Sequence, residues 1–140
     1  HTSPPPNWWQ GTSVENQAAA DARTPHLLRV PSPVRFLSCE PLLGYLNLWE
    51  CDDRTGQLVG VGIASLEGRP HPGINWVIVG GESGPKHRPM ELGWLHSLVD
   101  QCREAGVAVW VKQDSGPYPG RQGRIPDELM IHEFPAGVAR

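Results

Sequence analysis

Short apolar runs, separated by glycine, proline and polar residues, set the rhythm of this chain. Four of them share one design, a mostly apolar segment that ends in polar residues. They are Trp8 to Ser13 before Val14-Glu15-Asn16, Val34 to Ser38 before Cys39-Glu40-Pro41, Trp76 to Val79 before Gly80-Gly81-Glu82-Ser83-Gly84, and Val107 to Val111 before Lys112-Gln113-Asp114. Short, β-branched-rich runs bounded by turn residues read as strands. An unbroken apolar strand is the mark of a parallel sheet with helices over its faces, so Trp76 to Val79 is expected to be buried on both faces.

Helical patterns fall between the strands. Asn16 can cap a helix through Gln17-Ala18-Ala19-Ala20-Asp21-Ala22-Arg23, and Thr24-Pro25 reads as a fresh cap with proline at the first helical position, starting a second short helix through Leu28. Leu92, Leu95, Leu98, Val99 and Cys102 recur at spacings of three and four, which makes one apolar helix face, and Gly106 stops that helix. The order predicts an α/β fold, a parallel sheet of about four strands in βαβ units. A β-hairpin-like insertion is expected near 49–73, where an Asp-rich turn separates short apolar stretches. The tail from 115 to 140 is rich in Gly, Pro and Arg and is expected to pack across the sheet through Ile125, Leu129, Ile131 and Phe134. Residues 1–140 then form a single partial-barrel domain.

Composition narrows the class. A chain of 140 residues is long enough to bury a core, and 16 glycines with 15 prolines imply many turns, while six tryptophans argue against a disordered polymer. A net charge of −3 gives no support for nucleic acid as a partner. The longest apolar runs are about five residues, far below the roughly 20 that span a bilayer, so no membrane is expected. Cys39, Cys51 and Cys102 are odd in number and lack a CxxC pair, which points to a reducing, cytoplasmic setting. The sequence opens on His1 rather than methionine, and missing upstream strands are the expectation.

The strand-end blocks carry a resemblance. Gly11-Thr12-Ser13-Val14-Glu15-Asn16, Arg35 to Gly44, Trp76 to Gly84 and Lys112-Gln113 occur in a fixed order, and together they resemble the phage-associated "gene product 37/gene product 68" family of uncharacterised proteins. The resemblance implies a radical-SAM-like TIM barrel, of which this chain is the C-terminal half. It also implies an iron–sulfur cluster and S-adenosylmethionine in the full-length family protein. Neither is expected for this chain alone, because Cys39, Cys51 and Cys102 lack the family's N-terminal cysteine spacing. An N-terminal half-barrel or a second copy of the chain is the expected partner, since a half-barrel leaves two sheet edges open.

Ligands bind at the carboxyl ends of parallel strands. The candidate rim is therefore Glu15, Ser38, Glu40, Gly80, Gly81, Glu82, Ser83, Lys112 and Gln113, suited to a small-molecule ligand. In radical-SAM barrels a Gly-Gly-Glu turn contacts the methionine amino group. Gly80-Gly81-Glu82 has those letters, on a later strand than usual. The competing reading is a salt bridge from Glu82 to Lys112 or Arg88 that closes the barrel mouth. Gly80 to Gly84 could cradle an anion beside Lys86, His87 and Arg88, although the Gly-Lys-Ser/Thr ending of a P-loop is missing. Cys39 could act as a nucleophile beside His26 or His87, or be a buried, inert thiol, the better-supported of the two. The histidines lack zinc-site spacings.

Three functions stay open on these residues: the substrate-side half of a radical-SAM-like enzyme, a non-catalytic module that docks another chain, and a metal-dependent phosphate-ester hydrolase using Glu40, Glu82 and Asp114.

Overall fold

A computed structural model describes residues 4–48 and 73–135. The expected hairpin near 49–73 and Cys51 lie outside them, Gly73 excepted. Strands β1 (Trp9–Ser13), β2 (Val34–Cys39), β3 (Trp76–Val79) and β4 (Ala108–Val111) form one sheet in the order β1-β2-β3-β4, and every pairing is parallel. Helix α1 (Gln17–Leu28) links β1 to β2, and α2 (Leu92–Ala105) links β3 to β4. Sequential parallel strands with crossover helices are the α/β arrangement expected, and the sheet stays open rather than closing into a barrel.

Both helices contribute to a core on one face of the sheet. Leu37, Cys39, Val77, Val79, Val109 and Val111 point into it, where Ala20, Leu27, Leu95, Leu98, Val99 and Cys102 meet them. Helix α2 follows its spacing closely: Leu95, Leu98, Val99 and Cys102 are buried, Leu92 is half-buried, and Gly106 ends the helix at φ 74°.

Helix α1 corrects one expectation. Asn16 caps it as foreseen, its side chain accepting from the Ala19 N–H at 2.9 Å. Thr24-Pro25 does not start a second helix, because one helix runs through Pro25 to Leu28. Ala20, Thr24 and Leu27 are its buried residues, spaced four and three apart. An unbroken helix keeps all three on the sheet, whereas a restart at Thr24 would rotate Leu27 away from it.

Strand β3 corrects another. Val77 and Val79 are buried, but Trp76 and Ile78 are only half-buried, so the strand is covered by helix on one face alone. Large aromatic side chains, not a second layer of helices, shield the other face among the described residues. The tail behaves partly as expected. Ile125 and Leu129 are buried, while Ile131 is half-buried and Phe134 remains 40 % exposed. Residues 131–133 pair antiparallel with the outer edge of β4: Val111 N–H donates to Ile131 O at 2.8 Å, and Glu133 N–H donates to Val109 O at 2.8 Å. The tail thus caps one sheet edge, and no described strand pairs with that of β1.

Candidate functional site

Three of the strand-end carboxylates pair with an arginine of a helix or loop. Glu15, after β1, is held by Arg23 of α1 at 3.1 Å, and the same guanidinium donates to Ser13 O at 2.8 Å. Glu82, after β3, accepts from the backbone N–H of Arg88 at 2.9 Å and from its guanidinium. Those hydrogen bonds hold the Glu82 carboxyl down at about 2. Asp114, after β4, accepts from the Arg124 backbone N–H at 2.8 Å and from its guanidinium at 2.9 and 3.0 Å. These contacts, outweighing burial, keep the Asp114 carboxyl below its usual range.

Only part of the expected rim is brought together. Lys112 Nζ lies 2.9 Å from Glu40, and Gln113 Nε2 approaches the same carboxylate at 3.4 Å. Ser38 of β2, Glu40 just after it and Lys112 just after β4 line one pocket. Gln113 is a brace rather than a free ligand group: its Nε2 donates to Gly81 O at 2.8 Å and its Oε1 accepts from Gly120 N–H at 2.8 Å. Gly81 serves close packing, whereas a Cβ on Gly80 would make only ordinary contacts. A Cβ on Gly81 would collide with the Ser115 backbone, so the turn can lie against the β4 exit only as glycine. Ser83 forms a bridge with Gly116.

The anion-cradle reading loses its donors. The N–H groups of Gly80, Gly81 and Gly84 donate to the carbonyls of Cys39, Gln113 and Gly116. Arg88, which was to add charge, is taken by Glu82. The choice left open for Glu82 thus falls to Arg88. The nucleophile reading also fails for Cys39, which is fully buried in the helix-side core, where burial first, then Cys102 and Glu15, raise its thiol strongly. Burial likewise pushes Cys102 up to about 12. Glu40, Glu82 and Asp114 each bind a different cationic side chain, and no group of three His, Cys, Asp or Glu among the described residues could hold a metal ion.

The pocket itself opens on the face away from the helices. It has a volume of about 330 Å³ and is lined by Ser38, Glu40, Trp76, Ile78, Trp110, Lys112 and Phe134. Its wall is an aromatic cluster centred on Trp76, whose ring lies 5.7 Å from Phe134 in a stacked arrangement and 6.5 Å from Trp110 edge-on. Trp76 Nε1 donates to Glu133 O at 2.8 Å, and Trp110 stacks on His132 at 4.6 Å, so both indoles are fixed. Phe36 reaches Trp76 at 6.0 Å by lying over Gly11, where any Cβ would strike its ring. Trp76, Ile78, Trp110 and Phe134 were read from the sequence as core or tail packing. The signal that separates them is parity: Trp76 and Ile78 alternate with Val77 and Val79, and Trp110 with Val109 and Val111.

Among the described residues no helix is long and apolar enough to cross a membrane. No curated protein and no solved structure shows a significant match to the chain. A family model described as "Protein of unknown function (DUF5131)" matches residues 1–130, nearly the whole sequence, and the chain therefore belongs to that family.

Proposed function

We propose that this chain is the substrate-side wall of a radical-SAM-like barrel enzyme of the phage-associated gene product 37/gene product 68 type. The aromatic pocket beside Glu40 and Lys112 would receive a small molecule. The observation that carries this reading is the pocket's place on the face that lines the interior when such a sheet closes, with its polar end at the carboxyl ends of β2 and β4. Its volume of about 330 Å³ lies at the lower end of ligand-sized cavities, and it joins an apolar wall to a few polar groups at one end.

The described residues do not fit an iron–sulfur cluster. Cys39 and Cys102 are buried on the helix side of the sheet. They do not fit a methionine amino group at Gly80-Gly81-Glu82 either, since Arg88 already makes four N–H contacts to the Glu82 carboxylate, two on each oxygen, and fills its acceptor sites. In this reading both groups belong to another part of the assembled barrel, and the present chain binds and orients the substrate. The open edge of β1 is where further strands would join, with an N-terminal half-barrel favoured over a second copy. The tail already occupies the β4 edge that a symmetric closure would need.

The test is thermal melting of the full chain with a panel of small aromatic metabolites: nucleosides, aromatic amino acids, pterins and S-adenosylmethionine. The comparison protein is Ser38→Phe, which fills the pocket without removing a packed contact. Binding in the pocket predicts that at least one compound raises the wild-type Tm by several degrees and leaves Ser38→Phe unmoved. A panel that stabilises neither protein, or both equally, overturns the reading.

A further inference from the structure

The polar end of the pocket has a donor and an acceptor side by side. Lys112 Nζ, an ammonium with three N–H bonds, lies 3.2 Å from Glu40 Oε1 and 2.9 Å from Oε2. The Glu40 carboxylate also receives the Gln113 amide, at a long 3.4 Å. Neither partner is sealed: the side chains of Lys112 and Glu40 are 46 % and 25 % exposed. Lys112 retains N–H capacity, and the carboxylate, with about four lone-pair sites, can accept again. The Ser38 hydroxyl lines the same pocket and makes no hydrogen bond with a described residue. Beyond these groups the wall is entirely ring or hydrocarbon: Trp76, Trp110, Phe134 and Ile78.

We infer that the pocket takes a 6-oxopurine, a guanine-type base as nucleoside or free base, with its ring against the Trp76–Trp110 wall and its lactam edge on Glu40 and Lys112. This rests on the pocket being a ligand site, as proposed above. Three requirements select the class. The aromatic wall favours a flat ring, because stacking on indole recovers π-face contact that water cannot supply. The adjacent ammonium and carboxylate ask for adjacent acceptor and donor atoms on one rigid edge. A 6-oxopurine offers its O6 to Lys112 and its N1–H to Glu40, and guanine adds a 2-amino N–H that reaches the second carboxylate oxygen. Charge complementarity supplies the third, since the Glu40–Lys112 pair is neutral overall and matches a neutral, polar base better than an isolated anion or cation. A carboxylic acid would meet Glu40, and an ammonium would meet Lys112, each as a like charge. Adenine turns an exocyclic donor toward the edge with a ring acceptor beside it, so it offers Glu40 one hydrogen bond where guanine offers two.

The experiment is a fluorescence titration of the full chain, whose Trp76 and Trp110 line the pocket, with guanosine, inosine and adenosine in turn. Saturable quenching by guanosine is expected, with inosine weaker by about ten- to a hundredfold, the worth of one hydrogen bond to a charged group. Adenosine should be weaker than guanosine by at least as much. Glu40→Gln, which still offers one acceptor, should bring guanosine and inosine within about twofold of each other, its circular dichroism and Tm confirming the fold. Lys112→Met should weaken all 6-oxopurines together. Equal affinities for the three nucleosides, no saturable quenching by guanosine, or a guanosine preference that survives Glu40→Gln would each overturn the assignment. If another compound of the melting panel binds in a Ser38-dependent way while guanosine does not, only this assignment fails. If no compound binds, the ligand-site reading fails with it.

Discussion

At the scale of single residues, the carboxylates divide into those that hold the fold and one that faces a cavity. Glu82 is fixed twice over by Arg88, once through the backbone and once through the guanidinium. Its folded value of about 2 lies below the ordinary 4.5, so its contribution to stability is present above pH 4.5 and is lost as pH falls from there toward 2. Carboxyl NMR should therefore find a Glu82 midpoint near 2, and Arg88→Ala should move it back toward 4.5. A midpoint unmoved by that substitution would show that Arg88 is not the cause. Asp114, 3 % exposed, does the corresponding work for the tail, gathering the Ser115 and Arg124 backbone amides and the Arg124 guanidinium. Glu40 differs from both. Its cation comes from the end of β4, across β3, rather than from a nearby loop, and the pair lies at the mouth of the aromatic pocket.

At the scale of elements, α1 shows tertiary packing overriding a local signal. Pro25 removes the N–H that would donate to the Asp21 carbonyl, and its ring crowds that carbonyl. The helix persists because the sheet rewards continuity, with Ala20, Thr24 and Leu27 buried in register. Pro25→Ala is expected to stabilise the chain by about 1–2 kcal/mol in urea denaturation: about 3 kcal/mol for a fully interior proline, reduced by the helix end and by the freer unfolded chain. A loss of stability would mean instead that the proline stiffens the last turn. Helix α2 contains no such conflict, and its spacing, glycine stop and packing face all agree with the sequence. The strands were legible in position and direction, because each apolar run ends in a polar cluster. Which side of each strand faces the helices was not legible, since Trp76 and Val77 are both apolar and only packing tells them apart.

At the scale of the molecule, the sheet is asymmetric. One face carries the helix core, the other an aromatic layer with a pocket. One edge is capped by residues 131–133, and the other has no strand partner among the described residues. Val14 N–H donates to Ser38 O at 2.9 Å, so amides of the same parity in β1 point toward β2 and those of Gly11 and Ser13 point outward. Hydrogen exchange should find Gly11 and Ser13 fast and the central amides of β2 and β3 slow, near the global unfolding limit. If a barrel partner adds a strand to this edge, the same two amides should become protected in the complex. Slow exchange at Gly11 and Ser13 in the isolated monomeric chain would contradict an open edge.

Taken alone, the amino-acid order determined the four strands, helix α2 and the start of α1, the parallel direction and the polar character of every strand end. Hydrophobic period, caps and glycine stops are local properties, and direction follows from alternating strand and helix. It also carried the family match over residues 1–130. Tertiary structure decided which polar ends meet. Glu15, Glu40 and Glu82 look alike in sequence, each a strand-end glutamate, yet Arg23, Lys112 and Arg88 reach them from a helix, a strand two places away in the sheet and a loop. It also decided that the tryptophans on the face opposite the helices form a wall rather than a core. Ion pairing and exposure depend on distances between segments far apart in the chain, and no window of sequence contains them.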